Sequence, residues 1–185
     1  KGASEEEIID VMLRQFDKDV FNGIFKEFQK KNDTLLKTKY GAYVTTEQGF
    51  QLRDVIKYAS IIEKETVLDE ERPLVAAVIY NRLKKGMKFQ MCSTVQYILG
   101  YQKENLTYAD ISIDSPYNSY IYDDIPGPIC SPGLVSIKAA FYPEDADYLY
   151  FVVSPKLDGS MNFSSDYNQF ERDKAAYDKA YNAAH

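Results

Sequence analysis

The sequence predicts an α+β fold, mainly helical around a small antiparallel sheet. Apolar residues recur at helical spacing through much of the first 140 residues. One aromatic and β-branched run, Tyr148-Leu149-Tyr150-Phe151-Val152-Val153, reads as a strand. Asp158-Gly159 then turns that strand towards a partner at Met161-Asn162-Phe163. At 185 residues and 45 % apolar content, the chain has the material for one domain with a core and a small appendage.

The elements follow in order. Residues 4–32 are expected to be mainly helical, with Ser4 as N-cap, Glu5-Glu6-Glu7 in the first turn and apolar residues at Ile8, Val11, Met12, Phe16, Phe21 and Phe25. Residues 32–44 are polar and less regular. A second helix is expected to start near Thr45-Thr46-Glu47, with Leu52, Val55, Ile56, Ala59 and Ile62 on one stripe. At about 100° per residue, Glu63 continues that stripe, and Glu65 falls on another made by Tyr58, Ile61 and Ile62. Apolar neighbours on both sides predict that this helix end is buried.

Asp69 is placed to cap a third helix, Pro73 is tolerated in its first turn, and Lys84-Lys85-Gly86 supplies a cationic last turn and a stop. Residues 94–99 predict a short helix, and Thr107-Tyr108-Ala109-Asp110 has the form of a helix start. From Asp114 to Gly133 the prolines at 116, 126, 128 and 132 predict a loop of about twenty residues. Loops of that length are usually functional or disordered. Its Tyr117, Tyr120, Ile121, Tyr122, Ile125 and Ile129 argue against disorder. Residues 136–141 suit a short helix, and 166–180 a last, polar one.

Composition excludes several kinds of function. A net charge of −6 without a basic block argues against nucleic acid as partner. No apolar run approaches a membrane span, and no signal peptide is legible. Cys92 and Cys130 have no zinc-ligand spacing, and the one histidine is the terminal His185, so no metal or cofactor is expected. A nucleophilic cysteine would also lack its usual base. Free thiols are the simpler reading, with one bridge as the alternative. Acid–base chemistry must then fall to carboxylates.

The densest candidate is Ala59-Ser60-Ile61-Ile62-Glu63-Lys64-Glu65-Thr66, two carboxylates after an apolar run. Desolvation there disfavours the charged form and raises the pKa, which suits a general acid. Cleavage of a glycosidic bond needs such an acid, and ordinary glycosidases add a second carboxylate. Glu63, Asp69 and Asp114 are the candidates for that second group. Two residues along a helix is about 200°, so Glu63 and Glu65 do not face one site. That favours a reaction needing one catalytic carboxyl.

The block at 59–66 is followed in order by Glu71-Arg72, Val75-Ala76, Asn81-Arg82-Leu83, Gly86-Met87, Gln90, Ser115-Pro116-Tyr117-Asn118-Ser119-Tyr120, Pro126-Gly127-Pro128-Ile129, Ser131-Pro132-Gly133 and Tyr148-Leu149-Tyr150-Phe151-Val152. This series resembles the catalytic domain of the bacterial endolytic murein transglycosylases, the MltG (YceG-like) family, over about residues 50 to 170. The resemblance implies cleavage within peptidoglycan glycan strands, between N-acetylmuramic acid and N-acetylglucosamine, without water. The C6 hydroxyl of the muramyl sugar attacks its own anomeric carbon and leaves an anhydro end.

Carried over by position, the resemblance implies Glu65 as the acid/base; Glu63 reads as a supporting group, with its place on the buried stripe leaving the exchange of the two roles as the alternative. Gln90, Thr94, Tyr117 and Asn118 are implied as substrate-binding residues, with Asn118 turning the loop and Tyr117 packing it as the structural alternative. The family continues its Gln with Thr-Asp-Pro-Thr, whereas Gln90 is followed by Met91-Cys92-Ser93-Thr94. The loop from Asp114 to Gly133 is expected to form one wall of the glycan groove. The resemblance also implies a domain outside the cytoplasmic membrane, tethered by an N-terminal helix that lies outside this sequence, and partners in the cell-wall elongation machinery. On this reading residues 1–45 are a helical linking segment from a missing N-terminal region, and 46–185 the catalytic domain. The start at Lys1 fits a fragment of a longer chain.

Overall fold

The computed structural model describes residues 2–31, 52–103 and 105–184. They fall into two compact units that divide after Leu52. The expected helix start at Thr45-Thr46-Glu47 and the irregular stretch at 32–44 lie outside the described residues.

In the first unit a helical run passes from α1 (Glu5–Phe16) through a π-helical stretch (Asp17–Phe25) into α2 (Lys26–Lys31). Ser4 caps α1 with a reciprocal pair of bonds: its Oγ accepts from the Glu7 N–H, and its own N–H donates to the Glu7 carboxylate. The apolar residues that mark α1 are not its buried ones. Ile8, Val11 and Met12 are exposed, and burial begins only at Val20, Ile24 and Phe28, one residue every four.

The second unit is built on α3 (Leu52–Glu65) and α4 (Arg72–Lys84). Every residue of α4 from Val75 to Arg82 is buried, so this helix is enclosed on all sides. Each buried valine or isoleucine there contributes about 1.5–3 kcal/mol. Tyr58 of α3 packs edge-on against Tyr80 of α4 and against Phe89, with ring centres 5.7 and 5.6 Å apart. A single turn of 3₁₀-helix (Asp69–Glu71) precedes α4, with Pro73 in the first turn as expected. Gly86, at φ +65°, ends the helix in the left-handed conformation that glycine tolerates best.

Around this pair lie α5 (Cys92–Leu99), α6 (Tyr108–Ile111) and α7 (Leu134–Phe141). α7 is fixed to α4 where the Tyr80 hydroxyl donates to the Ala140 carbonyl at 2.8 Å. The antiparallel hairpin pairs β1 (Tyr150–Val153) with β2 (Met161–Ser164), Tyr150 facing Ser164 and Val153 facing Met161. The closing helix α8 (Tyr167–Ala184) stacks Phe170 on Tyr150, four residues longer at its end than the sequence suggests. Arg82 and Asn81 of α4 donate to the carbonyls of Leu149, Ala146 and Tyr148, which lock the hairpin to the core.

The segment at 114–133 is a loop of turns, as its prolines predict, and side chains pin it along its length. Arg53 donates to the Pro126 carbonyl at 2.9 Å, Lys57 pairs with Asp124, and the Ser60 hydroxyl accepts from the Ile129 N–H at 3.0 Å. All three anchors come from α3, so the helix that ends in Glu65 also holds the loop.

Candidate active site

α3 ends with its two glutamates aimed at different elements. Glu63 Oε2 accepts from the Gly133 N–H at 3.0 Å and from the Ser136 hydroxyl at 2.7 Å, with Arg72 Nη1 3.4 Å away. Burial alone would raise its pKa. The Ser136 hydroxyl, the Gly133 N–H and Arg72 outweigh that and hold the carboxyl below its usual range. Glu63 is therefore a structural carboxylate that ties α3 to the start of α7.

Glu65 lies half-buried on the other side, where its Oε1 accepts from the Ser93 main-chain N–H at 2.9 Å. Burial raises its pKa, against the opposing pull of the Ser93 hydroxyl, the Ser93 N–H and Arg82. A carboxyl so placed keeps its proton to higher pH than a surface glutamate, as a general acid needs. Its other electrostatic neighbours are Cys92 and Tyr120, whose own pKa values burial and the Glu65 charge push up. Cys92 Sγ lies 3.4 Å from the Tyr120 hydroxyl. No second carboxylate stands in this set. Asp69 is engaged by Arg72 at 2.9 Å, and Asp114 accepts from the Tyr122 hydroxyl at 2.8 Å.

The segment that carries Ser93 is fixed from two sides. Arg82 donates to the carbonyls of Lys88 and Phe89 and, at 3.3 Å, to Gln90 Oε1. Gln90 is exposed and sits at φ +52°, a left-handed conformation uncommon for a residue with a side chain. From the other side, the Ser119 carbonyl accepts from the Gln90 N–H at 3.0 Å, and the Ser119 hydroxyl accepts from the Met91 N–H at 2.9 Å. The loop and the Gln90 segment thus form one hydrogen-bonded piece next to Glu65.

Thr94 and Asn118 are both wholly buried. The Thr94 hydroxyl donates to the Met91 carbonyl at 2.7 Å and meets the Ser119 hydroxyl at 2.8 Å. Asn118 Nδ2 donates to the carbonyls of Ile111 and Ile113, and its Oδ1 accepts from the Tyr120 N–H. A short polar side chain whose groups all find main-chain partners makes a turn, and that is what Asn118 does. Tyr117 is half-buried, its ring 4.8 Å from that of Tyr97 and its hydroxyl against Gly127.

Spacing does not single out Arg82, Ser93 or Tyr120, although Arg82 and Tyr120 fall in the motifs quoted above. An arginine in the last turn of a largely apolar helix is the sequence signal for the first. Cys92 and Cys130 are unpaired, and the Cys130 thiol faces the Ser60 carbonyl at 3.4 Å. Among the described residues no three His, Cys, Asp or Glu side chains cluster as metal ligands, and no helix is long and apolar enough to cross a membrane.

Fold and site together define a mainly helical α+β protein in which α3 ends on a half-buried carboxyl, Glu65, bonded to the first turn of α5. The chain belongs to the YceG-like family, whose pattern it matches over residues 1–176. It is 34 % identical over 175 residues to an endolytic murein transglycosylase of Bacillus subtilis, covering 94 % of this chain and 43 % of that protein. It is 30 % identical over 178 residues to one of Streptococcus pneumoniae, covering 93 % of this chain and 29 % of the relative. The chain thus spans less than half the length of these relatives. A crystal structure of a YceG-like protein from Listeria monocytogenes superposes with a TM-score of 0.72 at 33 % identity, over 93 % of this chain and 50 % of that one.

Proposed function

We propose that this chain is an endolytic lytic transglycosylase of peptidoglycan that uses Glu65 as its one general acid/base. The observation that carries the reading is a desolvated carboxyl with one oxygen held by a main-chain N–H and, among the described residues, no carboxylate hydrogen-bonded to it. Such a group can serve both halves of an intramolecular transfer. It first donates its proton to the glycosidic oxygen between N-acetylmuramic acid and N-acetylglucosamine. As carboxylate it then accepts the proton of the muramyl C6 hydroxyl while that oxygen bonds to the anomeric carbon. The carboxyl returns to its starting state, no water is consumed, and the new end is 1,6-anhydro.

A hydrolase would need a second carboxylate to activate water, and Asp69 and Asp114 are both committed to other partners. Gln90 and Tyr117 have surface to offer a sugar; Thr94, Asn118 and Ser119 shape the wall behind them. The names of the relatives support peptidoglycan as the substrate. We place residues 46–185 as the catalytic domain and 1–45 as a linking segment, working at the extracytoplasmic face of the membrane with cell-wall elongation proteins as partners. Mass spectrometry of glycan strands digested by the chain tests the chemistry. Internal cuts with anhydro ends are expected; products heavier by one water would make it a hydrolase, and bound but uncut strands a glycan-binding module.

A further inference from the structure

Ser93 is the second residue of α5, at the point where the chain departs from the family pattern after Gln90. The N–H groups of a helix's first turn have no acceptor within the helix. The Ser93 N–H spends that free bond on Glu65 Oε1, 2.9 Å away. Its side chain is buried, its hydroxyl has no hydrogen-bond partner among the described residues, and its effect on the Glu65 carboxyl is to favour the charged form. A buried polar atom without a partner costs about 1–3 kcal/mol and calls for an explanation.

We propose that Ser93 is the positioning residue of this site: its N–H fixes Oε1 of Glu65, its hydroxyl stands ready for the carboxyl, and Oε2 is thereby the oxygen turned to the sugar. The inference rests on Glu65 being the acid/base. Before transfer the carboxyl is protonated, and the N–H holds the carbonyl-like oxygen, which leaves the proton on Oε2. After transfer the same N–H and the hydroxyl both favour the carboxylate. Ser93 therefore sets the balance between the two states that the reaction alternates between. The other groups that face Glu65 are Arg82 from α4, Cys92 beside Ser93 and Tyr120 from the loop. Arg82 is held by main-chain carbonyls, so it does not substitute for the missing donor.

Two substitutions separate the groups. Ser93→Ala removes the hydroxyl and keeps the N–H. Ser93→Pro removes both, and the first turn of a helix tolerates proline. The Glu65 carboxyl is titrated by carbon-detected NMR in the 185-residue chain, and the pH profile of strand cleavage is recorded on the same proteins. Removing donors to a carboxylate raises its pKa. The Glu65 midpoint is expected to rise in Ser93→Ala and further in Ser93→Pro, with the alkaline limb of cleavage following in the same order. Equal midpoints in the alanine and proline variants overturn the role of the N–H. An unmoved midpoint in Ser93→Ala overturns the role of the hydroxyl, and this variant needs no change of backbone to fold. A midpoint that moves while the limb stays put means that Glu65 is not the acid, and the inference falls with that reading. If the midpoints stay put and Glu65→Gln is inactive, the inference alone fails.

Discussion

Glu63 and Glu65 sit two residues apart on one helix and are driven in opposite directions by what they touch. Glu63 meets the Gly133 N–H and the Ser136 hydroxyl, which favour its charge; Glu65 meets a half-buried niche in which one main-chain N–H does not offset desolvation. The helical half-turn between them separates a carboxyl kept charged by its donors from one that burial keeps protonated to higher pH.

Thermal melting of the two Glu→Gln variants against pH should show this opposition. A carboxyl whose folded pKa is lowered stabilises above its unfolded value, and the contribution is lost as pH falls through the folded value. Glu63→Gln should therefore lower stability at neutral pH, by about 1–3 kcal/mol for a charged acceptor of partly buried donors, with the gap narrowing in acid. A raised folded pKa has the reverse sign, because its charge disfavours the folded state once pH exceeds the unfolded value. Glu65→Gln should be at least as stable as the parent at neutral pH, with any advantage fading as pH falls below the usual glutamate range. Curves of the same sign for both variants would contradict the assignment of their environments.

Asn118 and Tyr117 are neighbours with different expected outcomes. Asn118→Ala orphans the Ile111 and Ile113 carbonyls and the Tyr120 N–H, and should destabilise by about 2–4 kcal/mol. Cleavage should fall only as far as the folded fraction does. Tyr117→Ala loses one half-exposed ring contact, so it should reduce strand cleavage with a small change in melting temperature. An Asn118→Ala protein that melts like the parent and does not cut would restore a direct sugar contact for that residue.

The helices, hairpin and long loop were legible in the sequence because each has local chemistry: Ser4 and Thr107 with acidic partners three residues on, Lys84-Lys85-Gly86, the run at 148–153, the four prolines. The opposed faces of Glu63 and Glu65 followed from helix geometry alone. What spacing could not supply was long-range. Ser93 reaches Glu65 across 28 residues through a main-chain N–H, a group every residue except proline carries, and Asn118 gives no sign in the sequence that its amide is consumed internally. The exposed stripe of α1 shows the same limit, since periodicity reports a helix and not what covers it.

Gln90 tests whether its backbone conformation serves the site. Non-glycine residues held at positive φ carry strain of about 1–3 kcal/mol, and glycine relieves it. Gln90→Gly should keep stability within about 1 kcal/mol of the parent, because lost strain offsets added chain entropy. It also removes the Oε1 that accepts from Arg82 and the amide exposed at the surface. Reduced cleavage in an equally stable protein is expected, and full activity would leave Gln90 as a turn residue only.

The central claim is that one carboxyl, on Glu65, moves the proton in both directions. Its most direct measurement is the rate at which folded Glu65→Gln cuts purified glycan strands, followed by the appearance of anhydro ends. An amide keeps the shape and still accepts from the Ser93 N–H but carries no transferable proton, so a loss of about a hundredfold or more is predicted. Anhydro ends formed at near the parent rate by that variant would contradict the account.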